Sequence, residues 1–191
     1  TFSELYKSTL IKKVTEYSQK IKSLDAKLNK TIKEYESSKQ LFDIAKKQTM
    51  IKAELALVKE ELYTMQKDIV IKIDDKQIQI KSQLADVRKD LYEKKVGTLL
   101  QFQTAQDALL KAEKSKYNTE KSIANLKLDY LSAKDVLLNA EKAQFNSQTS
   151  ISKLESEIIT QKADKQAFIA NWTSNLIGEI TDKDEQLIQL K

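Results

Sequence analysis

The sequence predicts an all-α fold, a long antiparallel hairpin of two coiled-coil arms. The 191 residues contain no proline and only two glycines, so few positions would interrupt a helix. Apolar residues recur at alternating steps of three and four, which is the spacing of a coiled-coil seam. One of the glycines lies close to the middle of the chain, where an antiparallel pair needs its turn.

The first arm covers residues 1–93, and its apolar residues form three blocks. The first block has a clear heptad spacing and comprises Leu10, Val14, Tyr17, Ile21, Leu24 and Leu28. The second is shifted by one residue and comprises Leu55, Val58, Leu62, Met65 and Ile69. The third is shifted back and comprises Ile80, Leu84, Val87 and Leu91. Changes of register locally wind or unwind a supercoil, so we expect this arm to bend or break within residues 46–54 or 70–79.

A turn is predicted at residues 94–98. Gly97 reaches positive φ at no steric cost, so it suits the position that follows a helix end. Lys94 and Lys95 complement the negative end of the preceding helix dipole, and Thr98 can cap the next helix. The alternative, one continuous helix in a parallel dimer, is less favoured because it leaves Gly97 in the middle of a helix.

The returning arm covers residues 99–191 and has a more regular seam. Its apolar seam residues are Phe102, Ala105, Leu109, Ala112, Ile123, Leu126, Tyr130, Ala133, Leu137, Ala140, Ile151, Leu154 and Ile158. Phe168 and Trp172 lie four residues apart on one helical face, and we expect them to hold the two arms together. An antiparallel pair makes contacts in mirror order, with Tyr35 near Leu154. Each arm of about 93 residues would be roughly 140 Å long.

No catalytic, cofactor or metal site is predicted. The chain has no histidine and no cysteine, which removes the commonest general base and the soft metal ligands. The pairs Asp74-Asp75 and Glu60-Glu61 are expected to be solvated, because neighbours on a helix point in different directions. The net charge is +5, but lysines and acids intermix along the chain, which argues against a nucleic-acid partner.

Two segments resemble a known family. Residues 91–98 read Leu-Tyr-Glu-Lys-Lys-Val-Gly-Thr, and Leu-Leu-Gln follows. This resembles the hairpin tip of HlyD-like membrane fusion proteins, the periplasmic adaptors of type I secretion systems. Residues 153–172 resemble the adaptor helix that returns toward the lipoyl domain, where a Phe-x-x-x-Trp pair like Phe168 and Trp172 precedes a charged helical run. The rest of the chain matches that family only as coiled coil.

The resemblance implies a periplasmic adaptor, anchored to the inner membrane through a segment outside this chain. It implies an inner-membrane ABC transporter at the base, a TolC-like outer-membrane channel at the tip, and a homo-oligomer, a hexamer, in the full assembly. The channel-docking residues that it implies are Arg88, Leu91, Tyr92, Gly97 and Thr98. Related efflux adaptors place an Arg four residues before the Leu; here that position is Val87, and Arg88 is one residue off.

The alternative function is that of a structural or scaffold coiled coil, such as a signalling hairpin or a membrane-binding helical dimer. A membrane-binding module concentrates basic residues on one face, whereas Lys and Glu intermix here. On either interpretation residues 1–191 form one hairpin domain. We expect it to be a fragment of a larger protein, because Thr1 and Lys191 lie in mid-pattern without capping signals.

Overall fold

The computed structural model describes residues 2–190 and confirms the all-α hairpin. Helix α1 spans Phe2–Met65 and is followed by a π-helical turn at Gln66–Val70. Helix α2 spans Ile71–Glu93, and helix α3 spans Leu99–Gln189. No strand occurs in this part of the chain. None of the described helices is long and apolar enough to cross a membrane.

Helices α1 and α2 pair with α3 in antiparallel order. The facing pairs include Asp25 with Lys165, Tyr35 with Glu155, Tyr63 with Tyr130, and Tyr92 with Phe102. The number of the α3 residue falls as the number of its partner rises, as mirror pairing requires. Tyr35 contacts Glu155, the residue next to the predicted Leu154.

The chain divides into two compact units. One unit joins the segment that ends at Ala45 to the segment that begins at Ala143, and the other is Lys46–Lys142. The first unit is joined by ion pairs across the two helices, Lys13 with Glu179 and Asp25 with Lys165. Its most buried polar side chain is Thr31, whose hydroxyl donates to the carbonyl of Lys27 in its own helix (3.1 Å).

The second unit has a seam of small residues. The buried apolar residues of the described chain all lie in this unit and are the alanines 56, 85, 105, 133 and 140, which are 5–9% exposed. The seam positions between the Asp74–Thr119 and Tyr92–Phe102 contacts put Ala85 opposite Leu109 and Ala105 opposite Arg88. Since the distance between packed helices depends on the side chains at the contact, alanines allow a close approach. A methyl group buries little apolar area, so this close packing contributes a modest hydrophobic stabilisation per residue.

The predicted register of the second apolar block is wrong. Its five residues, 55, 58, 62, 65 and 69, are between 42% and 56% exposed. The seam of α1 instead keeps its first register, and the residues that face α3 are Thr49, Lys52, Ala56, Lys59, Tyr63 and Gln66. A continuous α-helix cannot rotate its seam by one residue without a change in winding. The large apolar side chains therefore stay on a second face of α1.

The predicted break positions need correction as well. Helix α1 runs unbroken through residues 46–54, and the second range, 70–79, is almost wholly α-helical. The interruption is the π-helical turn at Gln66–Val70. A π-turn accommodates one extra residue in a helix. It therefore moves the seam by one residue, from the line of Tyr63 and Val70 to the line of Asp74, Ile78 and Ala85.

This shift also explains the third apolar block, which was expected in the seam. Ile80, Leu84 and Val87 are 56%, 41% and 55% exposed, and only Leu91 is half-buried. The π-turn shifts the seam and the apolar face by the same one residue, so the apolar residues of α2 stay outside the seam. Arg88 consequently lies on the seam side of α2 and is half-buried.

Asp74 is buried rather than solvated, which corrects the expectation for the Asp74-Asp75 pair. It is 8% exposed and accepts hydrogen bonds from the hydroxyls of Ser115 (3.3 Å) and Thr119 on α3. Asp75 forms a separate ion pair with Lys116 (2.7 Å). The two carboxylates therefore have different partners, and Asp74 supplies a polar contact at a seam position of α2.

Candidate functional site

The turn between α2 and α3 is the candidate site, and its first part is the end of α2. The amide of Lys95 donates to the carbonyl of Tyr92, and the amide of Val96 donates to the carbonyl of Leu91 (both 3.0 Å). These two bonds form a Schellman motif. Lys95 occupies its left-handed position with φ 62°, and no glycine of the described chain has a positive φ. The expectation that Gly97 supplies the positive φ is therefore wrong.

Gly97 is favoured for a different reason, namely close approach. A Cβ at this position would lie 3.2 Å from the Cβ of Leu91 and 3.5 Å from the side-chain oxygen of Gln101. The Gly97 amide also donates to the carbonyl of Leu91 (2.9 Å). The chain thus folds back directly over the last turn of α2, and a Cβ at residue 97 would require Leu91 to shift by a few tenths of an ångström.

The start of α3 is closed by a capping box. The Gln101 amide donates to the Thr98 hydroxyl, and the Thr98 amide donates to the Gln101 side-chain oxygen (both 3.2 Å). Thr98 therefore caps α3, as the sequence analysis expects. The role of Gln101 was missed, although the Thr-x-x-Gln spacing at the start of a helix is the signal for this motif.

The five residues that the family resemblance implies do not form one exposed cluster. Leu91 is half-buried beneath Gly97, and Thr98 bonds the α3 backbone. Arg88 is half-buried on the seam side of α2. Tyr92 is 40% exposed, and its ring stacks on Phe102 at 6.1 Å between centroids. These residues build the turn more than they present a surface.

Three other residues in and next to the turn have exposed apolar side chains. Val96 is 77% exposed, Leu100 is 72% exposed and Leu99 is 46% exposed. We call these three side chains the turn patch. Their exposure was not predicted, although Leu99-Leu100 directly follows the capping threonine at the start of α3. Exposed apolar groups next to each other are typical of a contact surface.

The predicted aromatic pair lies in the other unit. Phe168 and Trp172 both contact Tyr17 of α1, with ring centroids 5.7 Å and 4.1 Å from the Tyr17 ring. Aromatic contacts of this kind add to the apolar area that they bury. The structure therefore places this pair between the two helices, with Tyr17 as a partner that the sequence did not predict.

Two side chains of the helix pair have shifted pKa values. The hydrogen bond from the Tyr35 hydroxyl to Glu155 (2.8 Å) raises the pKa of Tyr35, because the neutral phenol is the donor. The hydrogen bond of Lys116 to Asp75 raises the pKa of that lysine. Both groups sit in pairs between helices, and neither lies at the turn. Among the described residues no group of three or more acidic side chains could hold a metal ion.

Comparison of the chain with models of known protein families, with curated protein sequences and with solved structures gave no match.

Proposed function

We propose that this chain is the helical hairpin of a periplasmic adaptor of the HlyD-like kind, and that its turn docks on a TolC-like outer-membrane channel during type I secretion. The observation that carries the proposal is the turn patch. Val96 and Leu100 are the most exposed large apolar residues of the turn, at 77% and 72%. They belong to a segment whose sequence resembles the adaptor tip. The proposal assigns no reaction to the chain.

The turn suits docking because its backbone is held without help from the patch. The Schellman motif and the capping box satisfy the amides of residues 94–98 within the turn. Val96, Leu99 and Leu100 then remain available to a partner. Burying an apolar side chain contributes roughly 1.5–3 kcal/mol. Three such side chains per hairpin, repeated in an oligomer, would support a specific contact.

The periplasmic location, the inner-membrane ABC transporter and the hexameric assembly belong to the same proposal. They rest on the resemblance of the two segments. On this proposal the docking residues are the turn patch and Tyr92, while Leu91, Gly97 and Thr98 shape the turn. Arg88 would act only if its half-buried side chain turned outward.

The test is site-specific photo-crosslinking in cells that carry the cognate channel. A crosslinking residue at Leu100 should capture the channel. The same residue at Leu138, a comparably exposed leucine of α3 (63%), is the matched control and should not capture it. In parallel, Leu100→Glu should abolish export of the cognate substrate, whereas Leu138→Glu should not.

If neither position captures a channel while the protein stays helical, the secretion role is wrong. The scaffold interpretation would then replace it. Capture from Leu138 as well as from Leu100 would show contact along the flank of α3 instead of docking by the turn.

A further inference from the structure

Helix α1 carries an apolar stripe that the hairpin does not cover. We call it the α1 stripe, and its residues are Leu55, Val58, Leu62, Met65 and Ile69. Their side chains are between 42% and 56% exposed. The steps between them alternate three and four residues, which is the spacing that packs against another helix. Apolar residues scattered singly need no explanation, but a stripe of this length does.

Helix α3 carries a second uncovered stripe, with one residue in each heptad. We call it the α3 stripe, and its residues are Leu110, Tyr117, Ala124, Leu131 and Leu138. The four large side chains are 62%, 61%, 48% and 63% exposed, in that order. Each residue comes directly after a position of the α3 seam, so the stripe follows the seam along the same helix.

The two stripes lie at the same height on opposite sides of the hairpin. The rings of Tyr63 and Tyr130 stack across the seam, with 6.3 Å between centroids. Leu62 precedes Tyr63, and Leu131 follows Tyr130. One residue is a rotation of about 100°. Because the helices run in opposite directions, a step back along α1 and a step forward along α3 turn these two leucines to opposite sides.

This arrangement suits a contact that repeats from copy to copy. If the α1 stripe of one copy packs on the α3 stripe of the next, each copy still has one free stripe. A contact of this heterologous kind generates rings. Copies related by a rotation axis along the hairpin are not displaced along it, so the stripes have to match in height. They do match, because Leu62 is level with Leu131, and Leu55 and Leu138 each lie seven residues further from the turn.

Charges beside the two stripes indicate that a second copy is the partner. Neighbouring copies that point the same way set α1 against an antiparallel α3, which brings one edge of each stripe to the same side of the contact. Toward the turn, this edge of the α1 stripe reads Glu54, Glu61, Asp68 and Lys76. At nearly the same heights, the edge of the α3 stripe reads Glu141, Lys134, Lys127 and Glu120.

Three of these four pairs have opposite charges, and the sign reverses on both edges at the same step. All of these residues are exposed, and among the described residues none of them forms an ion pair within the hairpin. They are therefore available to a neighbouring copy. The pair furthest from the turn, Glu54 with Glu141, is of like charge, so the matched stretch covers three heptads.

We infer that the α1 stripe of one copy packs level against the α3 stripe of the next copy. The inference names the repeating contact of the oligomer in the proposed function, and to that extent it rests on that function. It uses no residue of the turn patch. Failure of the stripe contact therefore leaves the channel crosslink from Leu100 as an independent result, and failure of that crosslink leaves the stripe contact standing.

Cysteine crosslinking tests the inference directly, because the chain contains no cysteine of its own. Leu62→Cys and Leu131→Cys are made in separate chains, which are mixed and mildly oxidised. The mixture should form disulfide-linked dimers, and neither variant should do so alone. Thr64→Cys mixed with Leu131→Cys is the matched control. Residue 64 is exposed and lies at nearly the same height, but it is about 160° around α1 from Leu62.

The inference is overturned if the mixture gives no dimer or if the control gives as much dimer as the mixture. Dimers from Leu62→Cys alone would also overturn it, because they would show a two-fold contact of the α1 stripe with itself. So would a chain that stays monomeric and binds anionic vesicles unless Leu62 is changed to Glu, because lipid would then cover the stripe.

Charge reversal tests the register of the contact by sedimentation equilibrium. Glu61→Lys should weaken self-association about threefold to tenfold, and Lys134→Glu in the same chain should restore it, because every contact then carries the pair reversed. Glu141→Lys should strengthen self-association, since it removes the one like-charged pair. No weakening by Glu61→Lys, no restoration by the double variant, or no gain from Glu141→Lys would contradict the level register.

Discussion

The buried carboxylate of Asp74 gives the sharpest test of how the two helices hold together. Asp74 is 8% exposed and accepts from Ser115 and Thr119. Two substitutions perturb this contact from opposite sides. Thr119→Val removes a donor and leaves the carboxylate buried. Asp74→Leu removes the carboxylate and fills a seam position with an apolar side chain.

The expected magnitudes differ because the groups left behind differ. After Thr119→Val the buried carboxylate keeps only the longer bond from Ser115, and losing a hydrogen bond to a charged group costs about 1.5–3 kcal/mol. After Asp74→Leu nothing is left unpaired. The Thr119 hydroxyl can donate to the carbonyl of Ser115 (3.1 Å), and Ser115 is exposed to water. Replacing both partners of a buried hydrogen bond by apolar groups of the same shape can be nearly neutral, so we expect Asp74→Leu to cost much less than Thr119→Val.

Urea unfolding followed by far-ultraviolet circular dichroism measures both variants and the double variant. We expect Thr119→Val to be destabilising alone and nearly neutral when Asp74→Leu is present, a coupling of about 1.5–3 kcal/mol. Thr104→Val is the matched control, because the Thr104 hydroxyl donates to a carbonyl of its own helix (Leu100, 2.8 Å) and has no carboxylate partner. The reasoning is refuted if Asp74→Leu costs as much as Thr119→Val, or if the control does.

Three further predictions concern the turn, the pH dependence and the π-turn. Lys95→Gly should stabilise the hairpin by about 0.5–1 kcal/mol, because a left-handed residue other than glycine costs roughly 1–2 kcal/mol, and the greater chain entropy of glycine in the unfolded state cancels part of that gain. Gly97→Ala should destabilise the hairpin. Thermal melts that show the reverse order would place the left-handed position at residue 97. Tyr35 keeps its proton in the folded chain at pH values where the unfolded chain, with a pKa near 10.0, has lost it. Its contribution is therefore present below pH 10.0 and lost as the pH rises through the raised folded value; Tyr35→Phe should flatten the alkaline fall in unfolding free energy, and an identical fall in both proteins would contradict this. Deleting Asp68 should convert the π-turn to α-helix and keep cooperative melting, because the seam residues of α2 stay aligned with α3. Deleting Gln83 inside α2 is the control and should lower the melting temperature. Equal decreases in melting temperature for the two deletions would show that the π-turn does not absorb the shift of the seam.

The sequence predicts the fold class because composition and periodicity act over the whole chain. The absence of proline and the three-four spacing are global signals, and the all-α hairpin follows from them. The connection between α2 and α3 lies at residues 94–98, the segment that the central glycine indicated. Pairing order then follows from the position of the turn, and the contact of Tyr35 with Glu155 agrees with it.

The seam of the first arm could not be predicted in the same way. Apolarity marks faces that pack, but it does not say against which neighbour. Leu62 is more apolar than Lys59, yet Lys59 faces α3 and Leu62 does not. The face toward α3 is fixed by the unbroken winding of α1 from its first block onward. Nothing in the local sequence of residues 55–69 carries that information.

The details of the turn were also hidden from residue types alone. Glycine is favoured both at a positive φ and at a close approach, and only the backbone distinguishes the two. Lys95 takes the strained position, while Gly97 lies against Leu91. The buried Asp74 was missed because an adjacent acidic pair carries no sign of which member faces the partner helix.

In the turn, the residues that fix the backbone are not the ones with exposed apolar side chains, and this bears on how a turn that docks as proposed could change its partner. Thr98, Gln101 and Gly97 hold the loop closed through backbone bonds and close approach. The side chains of Val96 and Leu100 contribute little to that closure, since they are largely exposed. A lineage could therefore exchange these outward side chains without remaking the loop. On the proposed docking role, a change at these two side chains would change the partner while the backbone of the turn stays the same.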